Sequence, residues 1–165
     1  MANKKFWICN KINPTTAEIL LYGFISPYDI SSADFIIELS QLCNIYSDIN
    51  IRINSGGGSI FEGLAIYNDI RQKIKDGKNI NTQCDGIAGS MAGVIFLAGK
   101  KRTISKYGRV MTHRAKGWAE GDADQIRQQA QLVEDAEGDL VKIFAEHTGL
   151  SEDDVRKKFI QKGVD

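Results

Sequence analysis

Hydrophobic residues follow two different periods along the chain, and the two periods alternate. Residues 18–25 (EILLYGFI) are rich in aliphatic side chains, and residues 49–53 (INIRI) alternate apolar with polar positions, so both segments predict strands. Residues 79–84 (NINTQC) are a third strand candidate. Between the strands, apolar residues recur every three or four positions, as they do on one face of a helix. They are Phe35, Leu39 and Leu42 after an N-cap at Ser31, and Leu64, Ile66, Tyr67 and Ile70 before Gly77.

The second half of the chain predicts one dominant helix. Strand-like pieces return at 102–105 and 108–112, and a long amphipathic helix follows from Asp122 to His147. Its apolar residues are Ile126, Ala130, Val133, Ala136, Leu140 and Phe144. The alternation of strands and helices predicts an α/β fold, and 165 residues fit one domain spanning residues 1–165.

Two segments of small residues connect predicted strands to predicted helices. Three glycines follow Asn54 and Ser55, and because successive glycines interrupt regular structure, we expect a turn at this point. A second turn of small residues, 86–89 (GIAG), leads to Ser90 and to the apolar stretch 91–98.

Composition is that of an ordinary globular protein, and the balance of charge argues against a nucleic-acid-binding protein. Hydrophobic residues make up 42% and charged residues 25% of the chain, as in an ordinary globular protein. Lys+Arg and Asp+Glu both count 21, so the formal net charge is zero. A nucleic-acid-binding protein normally carries a basic excess or a basic face, and we expect no nucleic-acid partner. Low net charge also makes self-association easy to accommodate.

Cysteine usage and hydropathy indicate a cytoplasmic protein without a membrane partner. Cys9, Cys43 and Cys84 are widely spaced and form no Cys-x-x-Cys pair, so we expect isolated thiols and neither a disulfide framework nor a metal site. None of them sits in a turn suited to a catalytic thiol. The N-terminus is too poor in apolar residues for a signal peptide, and no apolar run reaches the roughly 18 residues of a membrane span.

Ser90 is the first candidate for chemistry. A serine between a strand and a helix, flanked by Gly89 and other small residues, projects its hydroxyl from a tight turn that a substrate backbone can approach. The nearby helix N-terminus favours developing negative charge, and the N–H of Met91 is a natural oxyanion donor. The alternative interpretation is a small-residue turn that serves only close helix–strand packing.

The glycine-rich segment 54–59 (NSGGGS) is a second set of potential donors. Glycines leave backbone N–H groups unobstructed, which suits an oxyanion or a phosphate. The segment lacks the Lys-Ser/Thr pair of a Walker-type nucleotide loop. A flexible strand-to-helix turn is the alternative interpretation.

Two histidines are available as a general base. His113 ends the apolar strand 110–112, where a side chain can reach a cleft, whereas His147 lies at the end of the long helix, where the helix dipole favours a capping or surface role. A nucleophilic serine needs a neighbouring base, so His113 is the leading candidate. Carboxylates that could orient its imidazole are Asp122, Asp124, Asp135, Asp139, Asp153, Asp154 and Asp165, and spacing alone does not choose among them.

Three ordered motifs resemble the Clp protease proteolytic subunit (ClpP) family. The run INSGGGSIFEGLAIYNDI (53–70) resembles "INSPGGS…GLAIYD", and GIAGSMAGVIFLAGKKRTISKYGRVMTHRA (86–115) resembles the nucleophile-to-histidine segment of that family. AEHTG (145–149) resembles its "AKHTG". The resemblance runs from about Glu18 to the end, and Phe61-Glu62-Gly63 is similar to the phage and prophage relatives, which include head maturation proteases.

The resemblance implies an α/β fold of the ClpP/crotonase-like type, with repeated β-β-α units. It implies a helical handle at about 119–147, 17 or so peripheral N-terminal residues, and stacked rings of identical subunits without metal or organic cofactor. Carried over by position, Ser90 is the nucleophile and His113 the general base. The N–H groups of Gly57, Gly58 and Met91 then form the oxyanion hole.

The chain departs from the family pattern at two places. Gly56 stands where the family usually has proline, which loosens the loop but removes no donor. The acidic member of the triad lies after the handle, and strict counting from His147 puts Lys162 there, whereas a three-residue insertion puts Asp165 there. We expect Asp165 to be the acid, and because it is the last residue, we expect the closing elements of the family to be absent.

The leading hypothesis is a serine endopeptidase subunit that hydrolyses peptide bonds inside a ring without itself using ATP. Peptide or protein substrates, an unfoldase ATPase or viral capsid proteins are its expected partners. Two alternatives remain: a crotonase-like enzyme that binds acyl-coenzyme A, and a ring-forming scaffold with impaired catalysis. The Ser90–His113 pair distinguishes the peptidase, because thioester polarisation by backbone donors needs neither residue.

Overall fold

The computed structural model describes residues 9–160, and the chain divides into two compact units between Met111 and Thr112. The first unit has an α/β architecture, which confirms the predicted fold class. Its strands are β1 (Cys9–Lys11), β2 (Thr16–Ile25), β3 (Asp48–Gly58), β4 (Asn79–Gly89), β5 (Arg102–Ile104) and β6 (Arg109–Met111). Its helices are α1 (Ser32–Ile45), α2 (Ile60–Lys75) and α3 (Met91–Ala98).

The strands of the first unit form one mostly parallel sheet. Strands β1 to β4 lie side by side in that order, and β5 and β6 both pair with β4, β5 at Thr82–Cys84 and β6 at Ile87–Gly89. Only β1, which the hydrophobic pattern did not predict, is antiparallel to its neighbour among the described strands. Because parallel strands end at the same edge of a sheet, the segments that follow β3 and β4 emerge side by side.

The core lies between one face of this sheet and the three helices. Every second residue of β3 points into it, and Ile49, Ile51 and Ile53 are completely buried. Phe35 and Leu39 of α1 are buried as well, as the helical spacing predicted. Burying each such side chain contributes roughly 1.5–3 kcal/mol, and a one-residue slip of β3 would expose all three isoleucines. The register of the sheet is therefore strongly specified.

A polar network covers part of the opposite face and joins three strands. Asp85 of β4 accepts hydrogen bonds from the Tyr22 hydroxyl (2.6 Å), Arg52 Nε (2.8 Å) and Gln83 Nε2 (2.9 Å). Burial works to raise the pKa of Asp85, but these donors outweigh it and hold the pKa below its ordinary value. The ionised carboxylate of Asp85 therefore connects β2, β3 and β4 through its hydrogen bonds.

The two turns predicted at the glycine-rich segments were wrong, because both segments continue a strand. Strand β3 runs to Gly58 and pairs Gly57 with Phe24, while β4 runs to Gly89 and pairs Ala88 with Ser55. The φ angles of Gly57 (101°) and Gly58 (150°) are strained for other residues and accessible to glycine. The glycines absorb a shift of register and the pairing resumes, so here they bend the strand without ending it.

The second unit contains α4 (Ala123–Thr148), α5 (Glu152–Val155) and a π-helical segment, Arg156–Ile160. The long helix is confirmed, and Asp122 and Gln125 form a capping box at its start. Its predicted apolar face is buried only towards the C-terminal end, at Ala136, Leu140 and Phe144, whereas Ile126 and Ala130 are exposed. Within residues 9–160, no helix is both long and apolar enough to cross a bilayer.

Candidate active site

Ser90 occupies a strained turn between β4 and α3. Its backbone angles are φ 50° and ψ −122°, and among the described residues it is the only non-glycine with positive φ. Such a conformation costs about 1–3 kcal/mol and is retained mainly at functional sites. In α/β-hydrolases, a nucleophilic serine is likewise presented by a strained strand-to-helix turn. Its strained backbone therefore makes Ser90 the leading candidate for a functional residue in this turn.

The backbone around Ser90 is held on both sides of the turn. The Ser90 N–H donates to the carbonyl of Met111 in β6 (2.8 Å), and the Ser90 carbonyl accepts from Gly93 N–H (3.0 Å) and Val94 N–H (3.3 Å) in the first turn of α3. The Ser90 hydroxyl does not cap the helix. The side chain is thus presented at a helix N-terminus, where N–H groups lack partners within the helix.

The glycine-rich end of β3 packs directly against Ser90. A Cβ on Gly57 would lie 2.6 Å from the Gly89 carbonyl oxygen, 2.7 Å from Ser90 Cβ and 2.9 Å from Met91 N. A Cβ on Gly89 would lie 3.0 Å from the Gly56 carbonyl oxygen. Only glycine permits this approach at position 57, which places the glycine-rich end of β3 (Gly56, Gly57 and Gly58, called the glycine loop below) beside Ser90 and the Met91 N–H.

Two polar side chains that the sequence analysis treated only as part of a turn hold this arrangement. Ser55 Oγ accepts from Gly57 N–H (3.1 Å) and donates to the Gly23 carbonyl (2.6 Å), and Asn54 Oδ1 accepts from Ile87 N–H (3.2 Å). Ser55 has the same parity along β3 as Ile49, Ile51 and Ile53. That parity was the available signal that its hydroxyl is buried.

His113 belongs to the second unit, and its ring is oriented by a neighbouring carbonyl. Nδ1 lies 2.6 Å from the Arg114 carbonyl oxygen. Because a carbonyl only accepts hydrogen bonds, Nδ1 carries the proton, and the lone pair of the neutral ring is on Nε2. This is the tautomer that a general base needs when it takes a proton through Nε2.

Glu137 of α4 holds the segment that follows His113. Its Oε2 accepts from Ala115 N–H (3.1 Å), and its carboxylate lies 3.4–3.5 Å from the guanidinium nitrogens of Arg114. Glu137 is only 9% exposed, so its carboxylate is largely shielded from water, whereas the Arg114 side chain is exposed. The long helix therefore fixes the backbone immediately after the predicted base.

The carboxylates considered as the third member of a triad fall into two groups. Asp165, and Lys162 at the position given by strict counting, lie outside the described residues. Of the others, five contact residues close to them in the chain: Asp122 caps α4, and Asp124, Asp135, Asp139 and Asp154 contact Arg127, Gln131, Lys142 and Ser151, respectively. Asp153 lies in the first turn of α5. His147 lies in the last turn of α4, as predicted.

Cys43 and Cys84 are poor candidates for a nucleophile. Cys43 and Cys84 are buried free thiols, and burial raises the pKa of both, which disfavours the reactive thiolate. The described residues also contain no group of three or more His, Cys, Asp or Glu side chains arranged to hold a metal ion.

Comparison with known proteins agrees with the motifs. The family model of the Clp protease matches residues 15–162. The chain is 42% identical over 110 residues to the ATP-dependent Clp protease proteolytic subunits of two Bacteroides fragilis strains, which covers 66% of this chain and 52% and 49% of those proteins. It is 41% identical over 103 residues to the subunit of the same name from Bacteroides thetaiotaomicron, covering 61% of this chain and 46% of that protein.

The chain spans about half the length of the curated relatives it matches. The family match, by contrast, covers most of the present chain and includes β3, β4, Ser90 and His113. On this evidence, the chain belongs to the Clp protease family.

Proposed function

We propose that the chain is a serine-type proteolytic subunit, with Ser90 as nucleophile and His113 as general base. The observation that carries the proposal is the strained turn at Ser90, with Gly57 and the Met91 N–H packed against it. A strained serine at a helix N-terminus, beside backbone donors, is the arrangement that acyl transfer requires.

The proposed reaction proceeds through an acyl-enzyme. His113 Nε2 takes the proton of Ser90 as Oγ attacks the peptide carbonyl, and the tetrahedral oxyanion accepts hydrogen bonds from backbone N–H groups. The C–N bond then breaks, and the amine leaves with the proton from His113. Water, activated by the same base, hydrolyses the ester and regenerates Ser90.

Met91 and Gly58 are the stronger candidates for the oxyanion donors. The predicted set also includes Gly57, but the Gly57 N–H already has Ser55 Oγ as its acceptor. The Met91 N–H belongs to the first turn of α3 and lies beside Gly57. We assign Gly57 to the wall of the oxyanion hole, where its missing side chain is the essential property.

Chain connectivity supports the pairing of Ser90 with His113. Met111 accepts the hydrogen bond of Ser90 N–H, and His113 is only two residues further on. Two residues span at most about 7 Å between α-carbons, so the chain itself limits how far His113 can lie from Met111. We propose Asp165 as the acid of the triad, a role that rests on the family resemblance, and there it would replace the Arg114 carbonyl as the acceptor of the His113 Nδ1 proton.

We propose that the active form is a homo-oligomeric ring, in a stacked double ring, that admits peptide or protein substrates. Exposed apolar side chains on α4 support self-association, since Ile126 is 43% and Leu132 55% exposed in a single chain. The relatives are named as ATP-dependent. An unfoldase ATPase is therefore the first partner to seek, with viral capsid proteins as the phage-type alternative and the cytoplasm as the expected location.

Peptide hydrolysis by the assembled protein tests the proposal. Wild-type protein should cleave fluorogenic peptides, and Ser90→Ala should lower kcat by about 10³-fold or more, because the nucleophile is removed. Ser40→Ala, a serine in α1 that donates to the Ile36 carbonyl, is the control and should retain activity. Turnover of an acyl-coenzyme A thioester unaffected by Ser90→Ala would favour the crotonase-like reaction, and intact rings without any cleavage would favour a scaffold.

A further inference from the structure

The glycine loop beside Ser90 has no side chains of its own to hold it in place. Gly56, Gly57 and Gly58 follow one another, and glycine loses more conformational freedom on folding than any other residue. Gly57 must nevertheless stay against Ser90 and Met91, with its α-carbon too close to them for a side chain. Pairing with Phe24 and Ile25 of β2 resumes only here, so a further group that bonds the Gly57 N–H helps to fix the backbone at this point.

The hydroxyl of Ser55 makes contacts on both sides of the loop. Ser55 is 3% exposed, and its Oγ accepts from Gly57 N–H (3.1 Å) while donating to the carbonyl of Gly23 (2.6 Å) in β2. The register between β2 and β3 shifts between Tyr22 and Phe24, so Gly23 lies at the irregular point. One hydroxyl thereby satisfies a donor and an acceptor where the strand pairing is interrupted.

This placement links the register shift to the site. Without the hydroxyl, the Gly57 N–H and the Gly23 carbonyl would each lose a hydrogen-bond partner, and this loss is unfavourable above all for the buried Gly57 N–H. The glycine pair would then be held only by its pairing with Phe24 and Ile25 of β2 and could shift relative to Ser90. We propose that Ser55 is a positioning residue that holds the glycine side of the oxyanion hole against Ser90 and the Met91 N–H.

The inference rests on the proposed function, since an oxyanion hole has meaning only for acyl transfer. An oxyanion donor acts mainly in the transition state, so its displacement lowers kcat more than it raises KM. A purely structural role of Ser55 would instead lower the amount of folded protein and leave kcat per folded site unchanged.

The test compares Ser55→Ala with a matched loss of a buried hydroxyl elsewhere. Thr82 of β4 is 1% exposed, and its Oγ1 donates to the Phe96 carbonyl (2.7 Å), so Thr82→Val also removes one buried hydrogen bond from the sheet. In peptide hydrolysis, normalised to folded protein, Ser55→Ala should lower kcat about tenfold or more with KM changed less than about threefold. Thr82→Val should keep kcat, and Ser55→Thr, which retains the hydroxyl, should recover most of the loss. Equal kcat values for Ser55→Ala and Thr82→Val would overturn the inference.

Amide hydrogen exchange distinguishes a failure of the positioning role of Ser55 from a failure of the proposed function. In the full chain, Ser55→Ala should speed exchange of the Gly57 amide at least tenfold relative to wild type, whether or not the protein cleaves peptides. Unchanged exchange at Gly57 overturns the positioning role even in an active enzyme. Faster exchange in Ser55→Ala, together with a wild-type protein that cleaves no peptide, overturns the proposed function and, with it, the catalytic part of the inference.

Discussion

Ser90 adopts a backbone conformation that only glycine reaches without strain, and this strain can be measured. At φ 50°, Ser90→Gly should relieve the strain and Ser90→Ala should keep it, although both variants remove the nucleophile. We expect Ser90→Gly to be more stable than Ser90→Ala by about 1 kcal/mol in urea unfolding.

Position 40 in α1 provides the control for this comparison. Glycine in the middle of a helix is less stable than alanine by roughly 0.5–1 kcal/mol, so Ser40→Gly should be less stable than Ser40→Ala. If Ser90→Gly were less stable than Ser90→Ala, as expected for the same two substitutions at Ser40, the turn at Ser90 would store no strain.

Substitution by alanine should lower activity at Gly57 and leave it nearly unchanged at the adjacent Gly56. A Cβ at Gly57 meets the Gly89 carbonyl and Ser90, and the φ of 101° adds backbone strain, so Gly57→Ala should displace the site and lower kcat at least 100-fold. A Cβ at Gly56 has no atom within 4 Å, and Gly56→Ala should retain activity within about twofold. Comparable losses in the two variants, measured by peptide hydrolysis, would contradict the packing described for Gly57.

At the scale of elements, the Asp85 network ties the stability of the sheet to pH. The pKa of Asp85 is lower in the folded chain than the roughly 3.9 of an unfolded chain, so ionised Asp85 stabilises the fold above that value. As pH falls through the folded pKa, the carboxylate is protonated and this contribution is lost.

The corresponding measurement is urea unfolding between about pH 7 and pH 3. Wild-type protein should lose stability on acidification more steeply than Asp85→Asn, which cannot titrate at this position, and Asp85→Asn should be the less stable of the two near neutral pH. Parallel stability curves for the two proteins would show that the contacts of Asp85 with Arg52 and Tyr22 do not stabilise the ionised carboxylate.

The elements with a clear periodic signal were predictable, and their ends were predictable where a side chain caps them. Ser31 begins α1 by accepting from Asp34 N–H, and Asp122 begins α4 in the same manner. The ends of β3 and β4 were not, because glycine permits both a turn and a bent strand. The choice between the two depends on pairing with residues far away in the chain, such as Phe24 with Gly57.

The sequence suggested some residues of the candidate site and missed others. Ser90 and the glycine loop follow from local sequence and from the family motifs, and the structure places Gly57 and Met91 beside the serine. The contacts of Ser55 were missed because its hydroxyl bonds the Gly23 carbonyl of another strand. The pairing of Ser90 with His113, and the role of Asp165, stay predictions.

At the scale of the whole molecule, the proposed chemistry draws on both compact units. Ser90 and the glycine loop belong to the unit that ends at Met111, and His113 and Glu137 belong to the unit that begins at Thr112. Only Thr112 separates Met111, which accepts the Ser90 N–H, from the proposed base. The proposed activity therefore needs residues on both sides of the boundary at Met111 and Thr112.

The most direct test of the central claim is covalent labelling of the assembled protein with a fluorophosphonate, followed by peptide mapping. Such probes react with a serine that a neighbouring base activates. The account predicts one adduct per chain on the peptide containing Ser90, no adduct in Ser90→Ala, and much slower labelling in His113→Ala. An assembled protein that takes up no probe, or a Ser90→Ala variant labelled as fully as wild type, would contradict it.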